Sequence, residues 1–144
     1  MNKAAVNPNL SSVTERVLSA AGVVVFTAAS FVVAWFNPVT AGFFPQCPLY
    51  RMTGLACPGC GLTRGFHALF HGDILTALDY NALIPLYALL FAYIFLSMLL
   101  IAVRGRGLGF GKIPQKMLWS FLFIGLAFAV LRNLPYYPFN ILYP

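Results

Sequence analysis

Two long apolar runs dominate the pattern of hydrophobic and polar positions along the chain. Residues 17–36 contain no charge, and residues 82–103 contain none until Arg104 and Arg106 follow them. A helix that crosses the hydrocarbon core of a bilayer needs about 20 apolar residues. The β-branched residues of the first run do not indicate a strand, because in lipid only a helix satisfies its own backbone hydrogen bonds. The pattern predicts two transmembrane helices, and Asn81 is the expected N-cap of the second.

A third apolar run, residues 117–131, is shorter and ends at Arg132. It crosses a bilayer only if the helix tilts little, the bilayer thins, or Arg132 extends its charged head toward the interface. We predict that this run is a third transmembrane helix. The expected fold class is therefore an all-α integral membrane protein. Residues 1–144 are expected to form one membrane domain of three transmembrane helices plus a short interfacial or re-entrant helix.

Residues 37–81 form a connector of 45 residues between the first two runs. Connections between packed helices usually contain about 2–8 residues, so the connector must have secondary structure of its own. A helix is expected from Gly61 to about Gly72, and Asp73 is expected to cap a second short helical turn. Four apolar residues form one stripe of the first helix: Leu62, Phe66, Leu69 and Phe70. This amphipathic helix is the predicted interfacial or re-entrant element.

Composition favours a membrane protein over a soluble one. Hydrophobic residues make up 60% of the chain and charged residues 8%, with a mean hydropathy of +0.82, whereas soluble proteins carry about 25% charged residues. The formal charge of +6 does not indicate a nucleic-acid partner, because most basic residues flank the apolar runs instead of clustering on one solvated face. The partner that the composition predicts is the lipid bilayer.

The distribution of basic residues predicts how the chain is oriented. Lys and Arg residues number six in segments 1–16 and 104–116, against two in the connector 37–81 and one, Arg132, in the tail. By the positive-inside rule the N-terminus is cytoplasmic and the connector lies outside, in a chain that crosses the membrane several times. The first run is longer than the apolar core of a signal peptide, of about 7–15 residues, and Glu15 precedes it. We therefore predict a signal anchor.

The connector also holds the rare reactive side chains of the chain. They are Cys47, Cys57, Cys60, His67 and His71, together with Asp73 and Asp79. The run TGLACPGCGLTR, residues 53–64, is followed by His71-Gly72-Asp73 and later by Arg132-Asn133-Leu134-Pro135. These motifs resemble the small bacterial membrane proteins grouped as domain of unknown function 2752, over about residues 45–140. The resemblance implies a bacterial inner-membrane protein, supplies no established reaction, and marks five motif residues: Cys57, Cys60, Gly61, Thr63 and Arg64.

The first hypothesis for the cysteines is a metal site. Cys57 and Cys60 have the C-x-x-C spacing of half a zinc knuckle, and the Pro-Gly between them permits the tight turn that such a half-site needs. Cys47 offers a third thiolate, and His67 or His71 could complete a Cys₃His set. Zinc is therefore the one cofactor that the sequence suggests, although a strong zinc prediction needs two paired half-sites and the chain has one pair.

The second hypothesis is a structural disulfide. Thiols of a connector that lies outside the cytoplasm meet an oxidising environment. Cys47 would then pair with Cys57 or Cys60 and staple the connector, which leaves one cysteine over.

The third hypothesis is thiol–disulfide chemistry at Cys57 and Cys60. A thiolate at a helix N-terminus is stabilised by the unpaired N–H groups and the helix dipole. Arg64, one turn into the predicted helix, would add to this effect, and Cys47 could act as a resolving partner through a mixed disulfide. The βαβ context of thioredoxin-like domains is missing, which counts against this hypothesis.

Further polar residues lie near the predicted outer face. They are Arg64, Asp73, Asp79, Arg132 and Asn133. An ion pair such as Asp79 with Arg132 would fasten the third helix to the connector. His67 and His71, at i and i+4, are also compatible with plain polar residues on the wet face of an interfacial helix. They do not form a protease site, because the glutamate of H-E-x-x-H is missing.

The function expected from the sequence is structural or accessory rather than enzymatic. With three acidic residues the chain offers no Ser/His/Asp triad and no paired carboxylates for glycoside chemistry. In this interpretation a disulfide or a metal ion stabilises the outer connector, and the partner is a second copy of the chain or another membrane protein. The alternative is a membrane thiol–disulfide oxidoreductase that acts through Cys57 and Cys60.

Overall fold

The computed structural model describes residues 12–109, 115–137 and Leu142. Those residues form helices, turns and loops, with no strand among them, which confirms the all-helical fold class. In chain order the helices are α1 (Val13–Trp35), α2 (Pro48–Thr53), α3 (Leu62–Phe70), α4 (Ile74–Tyr80), α5 (Ile84–Arg104) and α6 (Gln115–Leu131). Lys3 and Lys112, which the predicted orientation counts, lie outside the described residues.

Helices α1 and α5 are long and apolar enough to cross a membrane, judged by their length and composition. Ser12 and Glu15 form a capping box, so α1 begins four residues before the apolar run itself. In the most apolar stretch of each helix, 0% and 6% of the residues are buried within the described chain. Apolar surface on this scale is unfavourable in water, so it indicates a membrane environment.

Helix α6 is the third apolar helix, with 17 residues. At 1.5 Å per residue it is about 26 Å long, somewhat less than the hydrocarbon thickness of roughly 30 Å. A third membrane span therefore stays a prediction.

Helices α1 and α5 run antiparallel. The Arg16 guanidinium, near the start of α1, donates hydrogen bonds to the carbonyl oxygens of Ala102 and Val103 near the end of α5, at 3.2–3.4 Å. Farther along, the Phe26 ring packs against the rings of Phe91 and Phe95. The connector therefore leaves and re-enters this helix pair at the end opposite Arg16.

Within the connector, α3 and α4 form a helical hairpin with a small apolar core. Ala68, Ala77 and Ile84 are buried, and three residues of the predicted stripe pack against them: Leu62, Phe66 and Leu69. Phe70, the fourth residue of the stripe, is exposed. Gly72 closes α3 with a φ of +79°, and the Asp73 carboxylate accepts a hydrogen bond from the N–H of Thr76 at the start of α4. The predicted helix, its end and the Asp73 cap are confirmed.

The predicted N-cap of α5 is wrong. The helix begins at Ile84, and its N-cap is Leu83, which makes no side-chain cap. Asn81 is turned into the protein instead, with its side-chain nitrogen 2.8 Å and 3.1 Å from the carbonyl oxygens of Pro58 and Cys60. The physical reason is that buried carbonyl groups need donors, which the side-chain nitrogen of Asn81 supplies, while its side-chain oxygen accepts from the N–H of Leu83 just before the helix.

Gly65 permits the close approach of α3 to its neighbours, and this gives a first prediction. A Cβ at this position would lie 2.6 Å from Cδ1 of Ile84 and 3.1 Å from the carbonyl oxygen of Ala77. Overpacking of this kind costs about 1–3 kcal/mol. We expect Gly65→Leu to lower the thermal unfolding midpoint of the detergent-solubilised protein by several degrees. Gly125→Leu in α6 is the matched control, because a Cβ there meets nothing within 4 Å. Equal midpoints for the two variants would contradict the proposed packing.

Candidate functional site

The three cysteine sulfurs converge at one point of the connector. The Sγ atoms of Cys47 and Cys60 each lie 3.2 Å from Sγ of Cys57, and all three lie within 4.8 Å of one another. Cys47 and Cys57 are partly buried, Cys60 is buried, and none of the three is in a disulfide. Two separate segments of chain thus supply one cluster of thiols, which we call the cysteine cluster.

The Cys57–Cys60 turn is shaped by its own backbone. The N–H of Cys60 donates to the carbonyl of Cys57 at 3.0 Å, and the N–H of Cys57 donates to Sγ of Cys60 at 3.1 Å. Gly61 follows with a φ of +81°, a conformation that costs a glycine little, and α3 begins at the next residue. The turn therefore points both sulfurs to the same side.

Cys47 is held in place by the short helix α2, whose N-cap it is. Pro48 begins this helix and Gly54 ends it in the left-handed conformation, with a φ of +71°. Helix α2 was not predicted from the sequence, although a proline at the first helical position and a glycine just past the last are a recognised signal.

The three thiols differ in their acidity. A hydrogen bond from the N–H of Tyr50, supported by one with Cys57, lowers the pKa of Cys47 to about 7. Burial, followed by the hydrogen bond with Cys57, raises the pKa of Cys60 to about 12. At neutral pH and without a metal, Cys47 is therefore substantially thiolate, whereas Cys60 keeps its proton.

Arg132, which directly follows α6, binds the Cys57–Cys60 turn, called the cysteine turn below, by hydrogen bonds. Its side chain is 0% exposed, and one guanidinium nitrogen donates to the carbonyl oxygens of Cys57 at 2.8 Å and Cys60 at 3.1 Å. The Phe128 ring lies 4.8 Å from the guanidinium carbon, within the range of a cation–π contact. The contact fastens α6 to the connector through backbone carbonyls; the ion pair of Arg132 with the exposed Asp79 stays a prediction.

Asn133 binds the residue just before the same turn, Ala56, as both a hydrogen-bond acceptor and a donor. Its side-chain oxygen accepts from the N–H of Ala56, and its side-chain nitrogen donates to the carbonyl of Ala56, both at 2.8 Å. The nitrogen also donates to the carbonyl of Ala129 at 2.7 Å. Ala56 is only 1% exposed, so these bonds satisfy backbone groups that water does not reach.

Asn81 is the third residue whose side chain holds the Cys57–Cys60 turn, through hydrogen bonds to the carbonyl oxygens of Pro58 and Cys60. The carbonyl of Cys60 thus accepts from both Asn81 and Arg132. The sequence predicts a helix cap at Asn81, because no local pattern distinguishes an asparagine that caps the next helix from one that anchors a loop twenty residues earlier.

The two histidines lie away from the cysteine cluster. Nδ1 of His67 lies 2.7 Å from the carbonyl oxygen of Val33, and Nδ1 of His71 lies 2.8 Å from the carbonyl oxygen of His67. Among the described residues, the three cysteines are the only group of three or more potential Cys, His, Asp or Glu ligands that come together. The structure therefore does not assemble the predicted Cys₃His set.

The remaining predicted residues lie on the two sides of α3. Arg64, His67 and His71 line a polar cavity of about 250 Å³, beside Asp73 and other residues of the connector. Thr63 lines the opposite, apolar cavity of about 430 Å³ between α1, α3 and α5. Of the residues singled out in the sequence, the structure thus brings together the cysteines, Gly61, Arg132 and Asn133, and it leaves the others apart from them.

The cysteine cluster can do three kinds of chemistry. Thiolates are ligands for Zn²⁺ and for softer metal ions. Cys57, in contact with both other sulfurs, could close a disulfide with either. A disulfide that opens and closes would exchange with an external thiol.

Comparison with known proteins gave a family match that covers most of the connector and the first half of α5. Neither the comparison with curated proteins nor that with solved structures gave a match to the chain. The family match ends at residue 95, before Arg132 and Asn133, so the resemblance beyond that residue stays a prediction. Residues 47–95, which contain the whole cysteine cluster, match the model of the family described as protein of unknown function (DUF2752), and this confirms the resemblance predicted from the sequence.

Proposed function

We propose that this chain is an integral protein of a bacterial inner membrane in which a metal ion, bound by the cysteine cluster, clamps the start of α2 to the Cys57–Cys60 turn within the connector. Its role is structural or accessory rather than enzymatic. The observation that carries the proposal is the convergence of all three sulfurs from two separate segments of chain. Zn²⁺ is the simplest occupant, because it needs no redox chemistry and accepts thiolates.

The sulfur positions favour a metal ion over a structural disulfide. Around a tetrahedral Zn²⁺ with Zn–S bonds of about 2.3 Å, sulfurs lie about 3.8 Å apart. Two of the three separations in the cluster are 3.2 Å and the third is no more than 4.8 Å, so all three sulfurs are close enough together to bind one ion. A disulfide would account for two cysteines and give the third no reason to be there, whereas a metal ion accounts for all three.

The surroundings of the cluster support a clamp. Arg132, Asn133 and Asn81 donate to the carbonyls of Ala56, Cys57, Pro58 and Cys60. Each such bond contributes about 0.5–1.5 kcal/mol net, and more where the donor is charged. A turn held this firmly keeps its two sulfurs at a fixed separation, which is what a metal-binding half-site requires.

We further propose that the N-terminus is cytoplasmic and that the connector lies outside. The hydrogen bonds of Arg16 to the end of α5 support this orientation, because they hold the start of α1 and the end of α5, which adjoin the two basic segments in the sequence, at the same end of the helix pair. The proposed partner is a second copy of the chain or another membrane protein, since α6 leaves most of its large apolar side chains exposed.

A second candidate function is thiol–disulfide exchange. It is favoured by the central position of Cys57, which touches both other sulfurs, and by the lowered pKa of Cys47. The Cys47 thiolate would attack a Cys57–Cys60 disulfide at Cys57, form the Cys47–Cys57 bond, and release Cys60, which takes up a proton. An external disulfide would have to supply the oxidation in each cycle.

The metal clamp predicts about one zinc per chain in protein purified under reducing conditions without chelators. Cys57→Ser should lose the metal and lower the thermal unfolding midpoint, because it removes the central ligand. The control is His71→Gln, which should keep the metal, since His71 lies outside the cluster. Metal content is measured by elemental mass spectrometry. Protein without metal and with one permanent disulfide would contradict the clamp and favour the structural disulfide.

Asn133→Ala tests the attachment of α6 to the cysteine turn. The substitution leaves the buried N–H and carbonyl of Ala56 without these partners, at a cost of about 1–3 kcal/mol for each group. We expect a lower unfolding midpoint and faster loss of zinc to a chelator. Asn37→Ala is the matched control, because Asn37 also accepts a backbone hydrogen bond in the connector but is exposed. Equal zinc release from both variants would show that α6 does not support the cluster.

The exchange candidate predicts a pH profile for alkylation of the reduced, metal-free protein. Only thiolates react, so Cys47 should reach half of its maximal rate near pH 7, and Cys60 should be the least reactive up to pH 10. Site-resolved alkylation measured by peptide mass spectrometry gives the three rates. In cells, Cys57 and Cys60 should change between thiol and disulfide states. Identical profiles for the three cysteines, with a single redox state in cells, would rule out exchange.

A further inference from the structure

We propose that the metal ion of the cysteine cluster has an open coordination position, at which it binds the thiolate of a small molecule. This inference rests on the metal clamp proposed above and goes beyond it, because a purely structural ion needs no exchangeable ligand. The proposed binding site for small thiols lies at the N-terminal end of α3.

The first step is an inventory of possible ligands. All cysteines, histidines, aspartates and glutamates of the chain lie among the described residues. Only the three cysteines form a group of three or more potential metal ligands. The other members of this set are engaged or placed elsewhere: Glu15 in the capping box of α1, His67 on Val33, His71 on His67, Asp73 at the start of α4, and Asp79 on the exposed side of α4. No fourth protein ligand of the usual kinds is therefore available to the metal.

The second step is the meaning of a three-ligand set. Structural zinc sites are closed by four protein ligands, whereas sites that act on other molecules have three and leave one position for water or substrate. The proposed site has the second pattern. A second copy of the chain would not close it with sulfur, since every cysteine of that copy belongs to its own cluster.

The third step is access. Cys60 is buried, but Cys47 and Cys57 are partly exposed, so the cluster is covered on the side of Cys60 and reachable from the side of the other two. The backbone of the turn is fixed by Arg132 and Asn133, which prevents the three sulfurs from collapsing over the ion. A small molecule can therefore approach where the chain cannot.

The chemical class of the ligand follows from softness and charge. An ion that three thiolates have selected prefers a fourth soft donor. Three thiolates around Zn²⁺ carry one net negative charge, and a fourth adds another. The buried Arg132 guanidinium is bonded to the carbonyls of Cys57 and Cys60 and supplies a positive charge of the sign that favours such an anionic site. On binding, the thiol gives its proton to solvent, a metal–sulfur bond forms, a solvent molecule leaves the ion, and no electron is transferred.

Cobalt substitution tests the inference, because the visible absorption bands of Co²⁺ report its ligands. The detergent-solubilised full chain is loaded with Co²⁺ and titrated with 2-mercaptoethanol. We expect one Co²⁺ per chain and a saturable shift of the bands, with the cobalt still bound after gel filtration. His71→Gln should respond in the same way, and imidazole should shift the bands much less than the thiol.

The other outcomes separate the two proposals. Bound Co²⁺ whose bands ignore the thiol means a closed site, which overturns the open position and leaves the clamp standing. Loss of Co²⁺ to the thiol, or wild-type bands that differ from those of His71→Gln before any thiol is added, also overturns it. A chain that binds neither Co²⁺ nor Zn²⁺ removes the clamp and the open position together.

Discussion

The hydrogen bonds from the Arg132 guanidinium to the carbonyls of Cys57 and Cys60 connect parts of the chain that are more than seventy residues apart. A guanidinium buried away from water is costly unless acceptors and polarisable groups surround it. Here two carbonyl oxygens and the Phe128 ring serve that purpose. The same contact joins the end of α6 to the turn that carries two sulfurs, and it places a positive charge next to that turn. The other features of the site depend on this arrangement.

The exposed apolar surface of two helices imposes the second constraint. Helices α1 and α5 are long and apolar enough to cross a membrane, and few residues in their most apolar stretches are buried. Polar contacts between the connected elements therefore lie at the ends of the helix pair. Arg16 joins α1 to α5 at one end, and the connector contacts α1 at the other. Metal binding or thiol chemistry is possible at the connector end, because thiols, side-chain amides and backbone groups lie close together there.

Local signals in the sequence were sufficient for the local elements. The apolar stripe of α3, the turn at Gly72 and the Asp73 cap follow from spacing within a few residues, and the structure has all three. Contacts between distant residues were not predictable in the same way. Asn81 precedes an apolar run and so resembles a cap; its side-chain oxygen accepts from the N–H of nearby Leu83, but its side-chain nitrogen donates to carbonyl groups more than twenty residues earlier. The meeting of Cys47 with the Cys57–Cys60 turn was one of several open pairings, and only the folded chain separates the histidines from it.

The burial of Arg132 has a consequence for the bilayer around α6. A long basic side chain at the end of a short transmembrane helix normally reaches up to the phosphate layer and so lengthens the span. Arg132 is committed to the cysteine turn instead. If α6 crosses the membrane, neither its length nor its last charged residue can adapt to a thicker bilayer. Such a helix is accommodated by local thinning of the bilayer or by association with another helix.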